Sequence, residues 1–118
     1  MKKSPHKDRP HNNLGSAFLD QSKYQEATSQ YNEALRINPN YAEAYYNLGN
    51  VFLKQGKYHR AINQYNEALR MNPKFAEIHY NLGNAYLMIG NRGLALKEYQ
   101  TLKTMNRGLA SALYQEIK

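Results

Sequence analysis

Between Ala42 and Gln55 the residues Tyr45, Leu48, Gly49 and Phe52 recur at intervals of three and four, the spacing that lines up side chains on one face of an α-helix. That pattern predicts a helix over 42–55. Gly56 ends it, because glycine enters the left-handed conformation needed just past a helix C-terminus at little steric cost. A second helix is predicted over 58–71, with Ala61, Ile62, Tyr65, Ala68 and Leu69 as its apolar stripe. Asn72-Pro73 closes the unit, since proline cannot continue a helix interior but suits the first turn of the next.

The same pattern returns every 34 residues: Asn13-Leu14-Gly15 superimposes on Asn47-Leu48-Gly49 and Asn81-Leu82-Gly83, and Tyr31-Asn32-Glu33-Ala34-Leu35-Arg36 on Tyr65-Asn66-Glu67-Ala68-Leu69-Arg70. The expected units are 8–41, 42–75 and 76–109, followed by 110–118 and preceded by a basic flexible tail at 1–7. A fixed period of this length means stacked hairpins that bury their apolar faces only against one another. Glycine inside a helix costs about 1 kcal/mol relative to alanine. Close approach of backbones, Gly49 against Ala61 with Tyr45, Phe52 and Tyr65 interlocking around them, is the expected compensation. Gly15, Ala27, Phe18 and Tyr31 repeat that set, as do Gly83, Ala95, Tyr86 and Tyr99.

Tyr45-x-x-Leu48-Gly49-x-x-Phe52, Ala61-x-x-x-Tyr65 and Pro73 resemble the tetratricopeptide repeat pattern in spacing and residue type over residues 8–109. The resemblance implies an all-α, right-handed solenoid of three hairpins whose first helices line a concave groove, with a C-terminal solvating helix. Leu109, Ala110, Leu113, Tyr114 and Ile117 have the spacing for that last helix. Several departures are visible. Pro10 and His11 predict a frayed first turn in repeat one; Arg92-Gly93 falls in the expected turn region of repeat three, Leu102 replaces a small alanine, and Arg107 replaces the proline. A terminal repeat with altered packing, a natural C-terminus and a truncated N-terminus are the expectations.

Opposite the hairpin-closing face, the first helix of repeat two carries Glu43, Tyr46, Asn47, Asn50 and Lys54. Their counterparts are Asn12, Asn13, Ser16 and Asp20 in repeat one, and Glu77, Tyr80, Asn81, Asn84 and Met88 in repeat three. Asparagine both donates and accepts, so a row of them can hold the backbone of an extended peptide, while tyrosine adds rigid area with a polar tip. The competing reading is that Asn13, Asn47 and Asn81 join adjacent helices. The family's dicarboxylate clamp for chaperone tails uses lysine, asparagine, asparagine, lysine and arginine. Here Asn12, Ser16, Asn47, Glu77 and Asn81 stand at those places, only Asn47 matches, and Glu77 would repel a terminal carboxylate. Chaperone C-terminal tails are therefore disfavoured. The asparagine row is more similar to the groove of the O-linked N-acetylglucosamine transferase superhelix, and implies nothing about glycosyl transfer.

The net charge of +7 raises nucleic acid as a partner. Residues 1–9 hold Lys2, Lys3, Lys7 and Arg9 against Asp8, a net +3, leaving +4 for the rest, where charges alternate in sign as in Glu33 with Arg36 and Glu67 with Arg70. A solvated helix face accounts for that alternation better than a phosphate-binding stripe. No cysteine is present, which excludes a disulfide framework, a thiolate zinc site and a cysteine nucleophile. His11 and His79 occupy the Tyr45 position and read as packing residues, His59 lies on an outer face, and His6 and His11 could bind metal only adventitiously. No carboxylates converge and no glycine-rich phosphate loop occurs, so no enzyme, cofactor or metal is expected. Neither a signal peptide nor a run of roughly 20 apolar residues is visible, which predicts a cytoplasmic chain without a membrane span. The sequence thus points to a protein-binding scaffold, with self-association through an exposed terminal repeat as the second reading and nucleic-acid binding as a minor third.

Overall fold

A computed structural model describes residues 7–118, so the expected tail at 1–7 lies, apart from Lys7, outside the described residues. Among these, seven helices follow one another: α1 (Asp8–Asp20), α2 (Tyr24–Ile37), α3 (Ala42–Lys54), α4 (Tyr58–Met71), α5 (Ala76–Met88), α6 (Arg92–Lys103) and α7 (Arg107–Ile117). They pair as α1/α2, α3/α4 and α5/α6 and stack in an all-α solenoid with principal extents of 49 × 27 × 21 Å.

The three hairpin turns share one geometry. In the middle turn Gly56 has φ of +76°, its N–H donates to Leu53 O at 3.1 Å, and Lys57 N–H reaches back to Phe52 O at 2.8 Å. These paired bonds cap the otherwise orphaned carbonyls at the helix end. Gly90, with φ of +81°, repeats the arrangement. So does Ser22, at φ of +60°, where a side chain must tolerate backbone geometry that glycine takes freely.

Each core cluster lies at a junction between successive units. Ala27 and Tyr31 of α2 pack with Leu48 and Val51 of α3; Ala61, Ile62, Tyr65 and Ala68 of α4 pack with Ile78, Leu82 and Ala85 of α5; Ala95 and Leu102 of α6 pack with Ala110, Leu113 and Ile117 of α7. Burying residues such as Ile78 and Leu82 contributes about 1.5–3 kcal/mol each, and no hairpin could collect this alone. Leu48, expected on the hairpin-closing face, instead joins Val51 in packing against Ala27 and Tyr31 of the preceding hairpin. Tyr45 and Phe52 are only half-buried.

Four local expectations are corrected. The first turn of α1 is formed, because a helix leaves its first N–H groups unpaired and proline there forfeits nothing; Asp8 accepts a hydrogen bond from Asn38 Nδ2 at 3.0 Å. Arg92-Gly93 lies in the first turn of α6, which Asn91 caps by accepting from Leu94 N–H at 3.1 Å. Asn106 caps α7 in the same way, at 3.0 Å from Leu109 N, and starts that helix at Arg107, ahead of the expected 110. Finally, Gly49 makes room for a ring rather than for a backbone: an added Cβ would meet Tyr65 Cε1 at 2.4 Å. Gly15 accommodates Tyr31 likewise, but the nearest atoms to Gly83 all belong to Leu113 of α7. Tyr99 lies against Tyr114 instead, with ring centroids 5.2 Å apart, and this is the altered packing of the third unit.

Candidate functional site

The first helices of the hairpins, α1, α3 and α5, lie side by side and carry the predicted row. The structure uses much of that row for itself. Asn47 Nδ2 donates to Asn12 Oδ1 at 2.9 Å, and Asn12 is only 3% exposed. One step along, Asn81 Nδ2 donates to Asn50 Oδ1 at 3.0 Å and approaches the Tyr46 hydroxyl at 3.4 Å. These are bonds between neighbouring units, 31 and 35 residues apart in sequence, and buried amides without them would cost about 1–3 kcal/mol each.

A second set ties each first helix to its own partner. Ser16 Oγ lies 2.9 Å from the Tyr31 hydroxyl, and the Tyr65 hydroxyl donates to Asn50 Oδ1 at 2.6 Å. Burial pushes both tyrosines above their ordinary ionisation range, Tyr65 far above it. Both hydroxyls therefore remain protonated at neutral pH and available as donors. Tyr46 is half-buried, its ring 4.8 Å from that of Phe75 and 6.1 Å from that of Tyr65. Tyr80 is half-buried against the α6/α7 cluster.

What remains open is narrower than the predicted row. Asn13, Glu43, Lys54, Glu77 and Met88 are exposed, Met88 by 59%. Asn84 would be the counterpart of Asn50, but Tyr99 has turned to Tyr114, and Asn84 is left to line a cleft of about 490 Å³ with Leu53, Tyr58, Leu87, Met88 and Glu116. Sequence reasoning found Asn84 and Met88 there. It missed Leu53 and Leu87, which share a period-related position between the two faces considered, and Tyr58 and Glu116, which only the packing of α4 and α7 brings in.

His79 and His11 are held by specific bonds. His79 Nδ1 lies 2.7 Å from Glu98 Oε1 and Nε2 lies 2.8 Å from Pro73 O, while His11 Nδ1 lies 2.7 Å from Gln30 Oε1. The hydrogen bond with Glu98 raises the His79 pKa. On the outer surface Arg36 pairs with Glu33, and Arg70 with Glu67 at 2.9 Å. Among the described residues no group of three or more His, Asp or Glu side chains could hold a metal ion, and no helix is long and apolar enough to cross a membrane.

A helical-hairpin solenoid with this glycine and tyrosine spacing is defined by its fold, and comparison gives the family: a TPR repeat model matches residues 15–56 and 49–90. The chain belongs to the TPR repeat family. Among solved structures it is similar to the Arabidopsis OM64 TPR domain, with a TM-score of 0.88 at 17% identity over 93% of each chain. The first TPR of Spaghetti (RPAP3) bound to an HSP90 peptide superimposes with a TM-score of 0.90 at 19% identity, covering 97% of this chain and 92% of that one. MamA matches with a TM-score of 0.77 at 28% identity, covering 92% of this chain and 59% of that one. No match was found among curated proteins.

Proposed function

We propose that this chain is a non-enzymatic scaffold that binds an extended peptide or a partner helix along the α1–α3–α5 wall, gripping it most tightly at the cleft beside Asn84. The observation that carries this reading is the contrast within the row. Asn12, Asn47, Asn50 and Asn81 bond to neighbouring helices, whereas Asn84 makes no such bond among the described residues and lines, beside the exposed Met88, an apolar cleft large enough for a side chain. A partner's backbone meeting Asn84 while its apolar side chain enters between Leu53 and Leu87 would use both features. Some structural neighbours hold chaperone peptides, but chaperone tails remain disfavoured for this chain. Asn12 and Asn47 are engaged with each other, and Glu77 stands exposed where the clamp needs a cation.

Panning a displayed peptide library on the folded chain tests this. Asn84→Ala with Met88→Ser should weaken selected peptides at least about tenfold, the loss of roughly 1.4 kcal/mol, with melting unchanged. Selected peptides that bind the double variant as well as the parent would refute it.

A second reading has its own support. Leu48 and Leu82 are 4% and 1% exposed, covered by the preceding unit, but their counterpart Leu14 is 45% exposed. Self-association through α1 would cover it. Light scattering over a concentration series decides, and a strict monomer at high concentration removes this alternative.

A further inference from the structure

A second cleft, of about 310 Å³, opens between α6 and α7 and is lined by Tyr99, Lys103, Arg107, Ala110, Ser111 and Tyr114. Its floor is the Tyr99–Tyr114 ring pair, tilted by 35°, with Tyr114 42% exposed. Lys103 Nζ stands 5.4 Å from the Tyr99 ring centroid, and Arg107 enters from the first turn of α7. No acidic side chain lines the cleft, and the ion pairs seen among the described residues leave Lys103 and Arg107 for other partners.

The repeat itself shows that these residues are a local departure. Lys103 falls where the earlier units have Leu35 and Leu69, Arg107 where they have Pro39 and Pro73, and Ser111 where they have Glu43 and Glu77. Relative to either earlier unit, this one place gains two cations and loses a carboxylate. Capping the solenoid does not require that change. A helix N-terminus favours acidic residues, so Arg107 in the first turn of α7 opposes the helix dipole. Solvating the last helix would be served as well by glutamate.

We propose that this cleft docks an acidic segment of a protein partner, one carboxylate held between Lys103 and Arg107 and the adjoining apolar side chain laid on the tyrosine pair. Exposed ion pairs contribute little singly, but two cations converging over a ring floor select sign and orientation. Ser111 adds a hydroxyl donor. The proposal rests on the scaffold reading and adds a second contact, outside the asparagine row.

The test uses an N-acetylated, C-amidated acidic pentapeptide of aspartate, glutamate and leucine, which has no terminal carboxylate, beside its glutamine and asparagine counterpart. Titration followed by amide chemical shifts should move Ser111 and Tyr114, with the acidic peptide binding about tenfold tighter than the neutral one. Lys103→Gln with Arg107→Gln, both exposed, should remove that preference without changing the melting temperature. Asn84→Ala with Met88→Ser should leave it intact, so failure of the groove reading and failure of this one give different results. Equal binding of the neutral peptide, an unaffected double charge variant, or displacement of the acidic peptide by a lower concentration of oligo(dT) would each overturn the proposal, the last by pointing to single-stranded nucleic acid.

Discussion

Gly49→Ala sets two physical effects against each other. Helix propensity alone favours alanine by about 1 kcal/mol. The structure opposes it, because the added Cβ would lie 2.4 Å from Tyr65 Cε1 and 2.6 Å from Cδ1. Tyr65 is wholly buried, and its hydroxyl is anchored on Asn50 at 2.6 Å. The ring cannot swing aside without stranding that hydroxyl. Overpacking of this kind costs about 1–3 kcal/mol, and a broken bond to a buried hydroxyl a further 1–3 kcal/mol or so. Packing wins, and the net loss should be about 2–3 kcal/mol. Urea unfolding followed by circular dichroism measures it, with Gly83→Ala as the comparison. There the obstacle is Leu113 Cδ2 at 2.6 Å, the end of a flexible side chain, so the loss should be smaller. A Gly49→Ala protein as stable as the parent, or no worse than Gly83→Ala, would refute the argument.

Other outcomes follow from single contacts. Asn50→Ala leaves the Tyr65 hydroxyl and the Asn81 amide without their acceptor and should cost about 1–3 kcal/mol in the same unfolding assay, whereas Asn84→Ala should stay within about 0.5 kcal/mol of the parent. Ser22→Gly relieves a left-handed residue at φ of +60° and should raise stability by about 0.5–1 kcal/mol once glycine's greater unfolded freedom is subtracted; a lower urea midpoint would contradict this. His79 should make stability depend on pH. Both of its ring nitrogens face acceptors, Glu98 and Pro73 O, so only the imidazolium satisfies both. Its folded pKa is raised above the unfolded value. The contribution is fully present below that unfolded value, about 6.5, with Glu98 ionised, and is lost as pH rises through the folded pKa. Urea midpoints at pH 6 and pH 8.5 should therefore differ more for the parent than for His79→Gln, and equal differences would remove the effect.

Much of the architecture was legible because it is local. A helix announces itself through apolar spacing, a turn through glycine at a left-handed position, a junction through Asn-Pro, and the period through repetition of all three. Helix ends followed less faithfully. The start of α6 keeps the period of α2 and α4, but α7 begins at Arg107, ahead of the place the period of α3 and α5 would give it, because Asn106 caps it there. The candidate site was legible only as a row of types. That Asn12, Asn47, Asn50 and Asn81 are engaged while Asn84 is open depends on distances between helices some 34 residues apart, which no pattern within one helix encodes.

The sequence by itself therefore determined the class of element, the geometry of the middle turn at Gly56 and the existence of a stack, since each rests on residues a few positions apart. Tertiary structure decided how the third unit closes. Leu113 of α7 occupies the space over Gly83 that Tyr31 and Tyr65 occupy in the earlier units, Tyr99 turns to Tyr114, and Asn84 loses the hydroxyl its position would otherwise hold. One buried volume admits only one of two side chains, and which of them fills it is settled by packing.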